Sequence, residues 1–282
     1  MGDLHGEQGP YDDPRVRAIP WRDLVPQTRL EIAAELALSL PWLAGALVCG
    51  HLATGRHVAW IAGSLACSFY FFLTGLRQAH NAHHYALGLS RGATEWVLFA
   101  LSLLMVSSMH AIQATHLHHH RHCLGEEDVE ARTAHLPWWR ALLAGPAFIA
   151  SLHWHGLRLT LANARARRRR GAFIVAELAM IALWGALVFA WLDVPALRIH
   201  FALMAIGQCL TGFFAVWTVH HGCDPRGHIA RTQRGWVKNL ISYEMFFHVE
   251  HHLFPAVQTR RLPELARRLD AAAPELRGKL VF

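Results

Sequence analysis

Charge is scarce in this chain. Of its 282 residues only 17% are charged, against 53% hydrophobic, and mean hydropathy is +0.21. That balance excludes an ordinary soluble domain and makes a membrane protein the first expectation. The five cysteines (Cys49, Cys67, Cys123, Cys209 and Cys223) are odd in number and show no CxxC spacing. A disulfide framework is therefore not expected, and they read as small buried hydrophobes. Residues 1–29 lack a basic stretch followed by an apolar core and a cleavage site, so no secretory signal is expected; they read as a polar cytosolic segment ahead of a single domain over 30–282. The dipeptide His-Glu does not occur, which excludes an HExxH zincin. The formal net charge of +7 comes without a nucleic-acid-binding motif. Its densest tract, ARARRRRG (164–171), precedes an apolar run as a cytoplasmic flank does under the positive-inside rule, so no nucleic-acid partner is expected.

Long apolar runs are what the chain has. Four are long enough for about 20 residues of spanning helix: 30–53, 57–79, 172–192 and 197–219. They pair into two hairpins across Thr54-Gly55-Arg56 and Asp193-Val194-Pro195, connections with room only for a turn at one membrane face. Pro41 is expected to kink the first helix without ending it. With the arginine tract inside, both termini and the residues from 220 onward are cytoplasmic. A fifth run, 95–113, poses a conflict, because a single crossing there would separate HLHHHRH (116–122) from the histidines at 80–84. We read it as an interfacial or re-entrant helix, and the tryptophan-flanked stretch 137–156 as a second interfacial piece; the alternative is that both cross as a pair. The expected fold is all-α and integral to the membrane: four transmembrane helices in two hairpins, interfacial helices, and a cytosolic histidine-rich cap. In the tail, 260–276, Leu262, Leu265, Leu269 and Ala272 share one helical face, which either covers the cap or lies on anionic lipid.

Histidine is the anomaly, with 22 residues. The pattern HxxHH occurs at His80-Asn81-Ala82-His83-His84, at His116-Leu117-His118-His119-His120 and at His248-Val249-Glu250-His251-His252. On a helix, positions i, i+3 and i+4 share a face, so each box can aim several imidazoles at one point. His220-His221 supplies a fourth source. Isolated histidines (His5, His51, His57, His135, His153, His155, His200, His228) read as polar tips in the headgroup layer. Neutral imidazole suits zinc, copper, iron or nickel, and eight or more exceed what one ion can use. Two metal ions follow, and the excess argues against a single zinc site. Bis-histidine haem would place single histidines within facing helices, whereas these cluster at helix ends. A histidine-rich metal transporter or sensor is the competing class, but it needs ligands along a path through the spans, and these are nearly free of charge, Glu177 and the flanks excepted.

The strings HNAHH, HLHHHRH and HVEHHLFPAV resemble the three histidine boxes of the membrane fatty acid desaturase superfamily, which includes related hydroxylases and carotenoid ketolases. The resemblance runs from about 57 to 270 and rests on box order, spacing relative to the two hairpins, and the HxEHHLFP string. It implies a non-haem di-iron centre in a cytosolic cap, with His80 and His84 from box one, His116, His119 and His120 from box two, His248, His251 and His252 from box three, and a histidine just past the fourth helix. That last ligand is most similar to His221, with His220 as runner-up. His83 is left over from box one, and His118 and His122 from box two. Asn81, Asp128, Glu130 and Glu250 could orient ring N–H groups or guide protons, or be solvated charges and polar groups. The implied activity is O2-dependent introduction of a double bond into the acyl chain of a fatty acid or lipid, with hydroxylation or ketolation by the same centre as the alternative. No flavin or dinucleotide fingerprint and no haem or iron–sulfur domain is visible, so electrons would come from a separate ferredoxin-like or cytochrome-like donor with its reductase. Arg226, Arg231, Arg234 and Lys238 could dock such an acidic carrier.

Overall fold

The computed structural model describes residues 13–225, 227–277 and 279–281. Among these the secondary structure is helical, with no strand and only an isolated bridge between Thr232 and Leu280. The principal helices are α1 (Arg29–Gly55), α2 (Trp60–His83), α3 (Arg91–Met105), α4 (Met109–His122), α5 (Gly145–Ala162), α6 (Ala164–Trp191), α7 (Pro195–His220), α8 (Trp236–Ile241), α9 (His248–Leu253) and α10 (Leu262–Ala272). His5 and Arg226, both weighed above, lie outside the described residues.

Local chemistry sets the helix starts. Thr28 and Glu31 form a reciprocal cap at α1, where Thr28 Oγ1 accepts from the Glu31 amide and the Glu31 carboxylate accepts from the Thr28 amide, satisfying two donors that would otherwise be orphaned. Ser90, Ser108 and Asn163 cap α3, α4 and α6 from one side only, each side chain accepting from amides of the first turn. Pro41 does interrupt α1, with two residues of turn before Leu40. Gln78 of α2 donates to the Glu35 and Leu36 carbonyls beside that break, where the regular helical ladder is interrupted.

Helices α1, α6 and α7 are long and apolar enough to cross a membrane. α6 and α7 are joined by the short connection 192–194, across which Arg198 donates to the Val188 and Leu192 carbonyls. Two details differ from the sequence reading. The arginine tract is the opening of α6 itself, capped by Asn163, rather than a flank preceding it. Helix α2 packs along α1 but falls outside the set of strongly apolar helices, because its last two turns carry Arg77, Gln78, His80, Asn81 and His83, all buried.

The run 95–113 is broken. Helices α3 and α4 are bent by 112° at a break of three residues, where Val106 takes a left-handed backbone (φ 55°) that a β-branched residue rarely adopts. α4 therefore turns back from the line of α3 and carries box two toward box one. Gly156 lets α5 lie against α4: a Cβ there would sit 2.1 Å from the Ala111 carbonyl oxygen. The stretch 137–156 is divided between a short helix, Trp138–Leu143, and the first two-thirds of α5.

The tail helix α10 covers the cap. Leu262, Leu265, Ala266 and Leu269 are buried in one core cluster with Val16, Ile19 and Leu24 of the N-terminal segment and with Val249, Phe254 and Val257 around box three. The polar segment before α1 is thus folded onto the same cap, where Asp23 pairs with Arg268 at 2.7 Å.

Candidate metal centre

Boxes one and two lie at the C-terminal ends of α2 and α4, box three is α9, and His220 is the last residue of α7. Their imidazoles meet in two adjacent clusters. His80, His84, His116, His120 and His251 offer nitrogens that all lie within 4.8 Å of one another. His119, His220 and His252 form the second group under the same limit, with Cys123 at its edge. His248 joins it, its Nε2 3.0 Å from His220 Nε2 and 3.2 Å from His252 Nε2.

Each of boxes two and three divides between the clusters rather than aiming at one point. Successive residues of an α-helix are turned by about 100°, so the neighbours His119 and His120, and likewise His251 and His252, diverge. The i, i+4 pairs stay together: His116 with His120, and His248 with His252. His83 joins neither group, although its ring centroid lies 5.5 Å from that of His116 and its Nε2 is buried without a partner. His118 and His122 stack on the outer side of α4, ring centroids 4.2 Å apart, near Glu127.

The structure brings His220, and not the favoured His221, into the second cluster. His220 is 1% exposed, and its Nδ1 donates to the Ile229 carbonyl at 2.8 Å. A carbonyl can only accept, so Nδ1 carries the hydrogen and Nε2 presents its lone pair to the cluster. His221 stacks instead on Trp217, centroids 4.4 Å apart.

Two carboxylates hold box-two rings in the same way. His119 Nδ1 is 2.7 Å from Asp128 Oδ2, and His116 Nδ1 is 3.3 Å from Glu130 Oε1. Burial would raise the Asp128 carboxyl, but the His119 imidazole beside it and the backbone amides of Leu124 and Ala131 hold it at about 2. It is therefore a fixed anion orienting one ring. Glu250 and Asn81 do something else. Glu250 accepts from Thr232 Oγ1 at 2.7 Å and Arg234 at 2.6 Å, and Arg234 also binds Asp270 of α10. Asn81 accepts from Thr259 and donates to Glu35. Both tie the boxes to the surrounding cap and touch no imidazole.

The donor set fits metal cations. Imidazole nitrogens face each other at 3.0 Å (His84 to His116), 2.9 Å (His120 to His251) and 3.4 Å (His119 to His252). Both ring nitrogens of buried His80 have no hydrogen-bond partner among the described residues. Such orphaned nitrogens are costly unless a cation or shared protons satisfy them. Burial, and then the neighbouring imidazoles, push His120, His248, His251 and His252 well below the ordinary histidine value, which keeps them in the neutral, ligating form. Burial also pushes the Cys123 thiol well above its ordinary value, so a protonated thiol rather than a thiolate borders the second cluster.

These shifts predict a pH dependence for the metal-free protein. In the unfolded chain the imidazoles take up protons near about pH 6.5, whereas in the fold they resist. Below that pH the unfolded state binds more protons, so stability is fully present above about 6.5 and falls as pH drops. His119 runs the other way, since Asp128 raises it despite burial, but it is one group against four. Thermal unfolding of chelator-treated protein should show the melting temperature dropping from about pH 8 to about pH 5.5; a rise over that range would refute the account.

Other sequence expectations meet specific fates. His200 is buried and faces the Leu104 carbonyl at 3.1 Å, and His153 lies 3.0 Å from the Ser108 amide nitrogen; neither is a headgroup tip. Of the basic residues considered for carrier docking, Arg231 donates to the His221 and Leu280 carbonyls and Arg234 is engaged by Glu250 and Asp270. One network went unread: Glu177 and Glu95 flank His110 at 2.5 and 3.2 Å. Its only sequence signal was a lone acid in an apolar run.

Against the clusters lies an apolar cavity of about 160 Å³. Phe69, Leu73 and Leu76 of α2, with Phe214 and Val216 of α7, line its walls, and His80, His116, His119, His220 and His248 are among the residues that close it.

Among the described residues, strongly apolar helices, two buried imidazole clusters able to hold metal and an adjoining greasy cavity define a membrane-type helical protein with a candidate metal centre. The fatty acid desaturase family model matches residues 55–281, and the chain belongs to that family. No curated protein and no solved structure matches it.

Proposed function

We propose that this protein is a membrane-bound di-iron oxidoreductase that uses O2 to introduce a double bond into an acyl chain. The observation that carries this reading is the apolar cavity ending on two neighbouring all-imidazole clusters. His80, His84, His116, His120 and His251 would hold one iron, and His119, His220, His248 and His252 the other. Iron held there supplies the oxidising power for removing hydrogen from an unactivated methylene. The chain's own part is positional. Phe69, Leu73, Leu76, Phe214 and Val216 exclude water and fix one methylene of the substrate against the histidines, because a chain displaced by one carbon would react elsewhere. Asp128, Glu130 and the Ile229 carbonyl keep the hydrogens of His119, His116 and His220 on Nδ1, so that Nε2 faces the cluster. In this reading α1 and α2 span as one hairpin and α6 and α7 as another. Box histidines and both termini are then cytoplasmic, where a separate ferredoxin-like or cytochrome-like donor delivers electrons.

The test combines metal and product analysis. Protein purified from iron-replete cells should carry iron approaching two per chain. With labelled O2, a reducing partner and a saturated acyl lipid, the product should be lighter by two hydrogens and free of label. Stoichiometric zinc with no iron-dependent turnover would sink the oxygenase reading. Label retained as an alcohol or ketone in the main product would replace desaturation by hydroxylation or ketolation and leave the metal assignment standing.

A further inference from the structure

The short helix α8 turns four large apolar side chains outward: Trp236 is 76% exposed, Val237 46%, Leu240 66% and Ile241 53%. A cap surrounded by water does not keep so contiguous an apolar face open. The segment that follows it lies along α2. The Trp42 indole donates to the Tyr243 hydroxyl at 2.8 Å, the Tyr243 ring meets Tyr70 edge-on, and Arg77 donates to the Tyr243 carbonyl and the Glu244 carboxylate. Tyr70 precedes His80 by ten residues, about 15 Å along the helix. Tyr243 thus has its carbonyl on Arg77, three residues before the first box, and its ring against Tyr70 and Trp42 on the apolar flank of the first two helices.

The same segment is a wall of the cavity. Ser242, Met245 and Phe246 are among its lining residues, together with Phe69 and Phe214, and Ile241 stands at its rim. Within that wall Tyr243 and Glu244 both take left-handed backbone (φ 52° and 65°), conformations that non-glycine residues adopt only when their surroundings impose them. Trp42 and Arg77 are those surroundings. The segment thus separates an outward apolar face from a greasy cavity, and it is latched in place by Trp42 and Arg77.

We propose that α8 is seated in the boundary layer of the bilayer, and that Ile241–Phe246 is the wall through which an acyl chain passes sideways from the membrane. The substrate is then a chain carried by a membrane-resident lipid, not by a water-soluble thioester. Tryptophan leading an apolar face with Lys238 beside it is the composition of a membrane-interface element. Val48 and Val175 are likewise exposed on α1 and α6, helices apolar enough to cross a membrane, and a bilayer that covers them is the natural cover for α8. The membrane seat of α8 stands by itself; the choice of substrate rests on the function proposed above.

Full-length protein in lipid nanodiscs, one copy per disc, tests the seat without any need for turnover. A nitroxide on Leu240→Cys should collide more with oxygen than with a water-soluble nickel chelate, as one on Val175→Cys does. A label on Glu126→Cys, exposed after box two, should show the reverse, with unsubstituted protein labelled in parallel as background. Leu240 behaving like Glu126 overturns the proposal, as does lipid-like behaviour that appears only when two copies share a disc, because a second copy would then cover the face. For the substrate, Trp236→Ser and Leu240→Ser should lower kcat/KM for a bilayer-borne lipid by about tenfold with iron content unchanged. Unchanged turnover of that lipid, or a wild type that prefers an acyl thioester supplied from water, overturns the lipid-borne assignment. A protein that oxidises no acyl chain at all refutes the proposed function and leaves the spin-label result to judge α8.

Discussion

Replacing His220 by Ala should abolish turnover and lower bound iron, whereas His221→Ala should keep both. His220 is buried, its Nδ1 is anchored on the Ile229 carbonyl, and its Nε2 lies 3.0 Å from that of His248. Removing it takes one of four imidazoles from the second cluster and deprives the buried Ile229 carbonyl of the bond from His220 Nδ1. Losses through an orienting partner alone run to about 10–100-fold in metal affinity or activity, so loss of the imidazole itself should exceed about 100-fold. His221 stacks on Trp217 and offers its carbonyl, not its ring, to Arg231, an interaction that alanine retains. Iron per chain must be measured beside turnover, because metal loss and poor folding are coupled. An inactive His221→Ala beside an active His220→Ala would mean that the end of α7 is turned by one residue, about 100°.

That choice shows where sequence reasoning stops. The three boxes, the second hairpin and the apolar face of the tail were legible because each is a local periodicity: i, i+3, i+4 for the boxes and the leucine face, and apolar run length for the spans. The phase of His220 and His221 was not local. Residues Gly212–Trp217 form a π-helical turn, which breaks the count of 100° per residue just before the pair. The division of boxes two and three between clusters depends on which neighbouring helix each face meets, so no single box reveals it. Glu250 sits between two box histidines in sequence but shares the face of neither, and Arg234 and Asp270, distant along the chain, claim its carboxylate. Asn81 is adjacent to His80 yet is taken by Glu35 and Thr259. The bend between α3 and α4 was legible only as a conflict, because one straight crossing would have parted the boxes.

The cause of that bend carries the second large effect: Glu177→Leu should both destabilise the protein and empty the metal centre, although Glu177 touches no box histidine. Its carboxylate is fully buried on α6 and accepts from Ser102 Oγ at 2.7 Å, from Ser108 Oγ and His110 Nδ1 at 2.5 Å each, and from the His110 amide at 3.3 Å. Ser102 is near the end of α3, Ser108 caps α4 and His110 opens it. One side chain therefore gathers donors from both sides of the 112° turn. Without it, donors that water cannot reach lose their acceptor. Each buried donor left unsatisfied costs about 1–3 kcal/mol, and several lose their acceptor together, a large share of the stability of any fold. The damage is directional as well. α4 carries His116, His119 and His120, so a loosened start to that helix shifts ligands of both clusters together. Glu177→Gln, which keeps an acceptor oxygen of similar shape, should retain more iron and a higher melting temperature than Glu177→Leu. Thermal unfolding and iron content measured on the two variants beside wild type decide the matter; a leucine variant that melts and binds iron like wild type would show that packing alone fixes the turn.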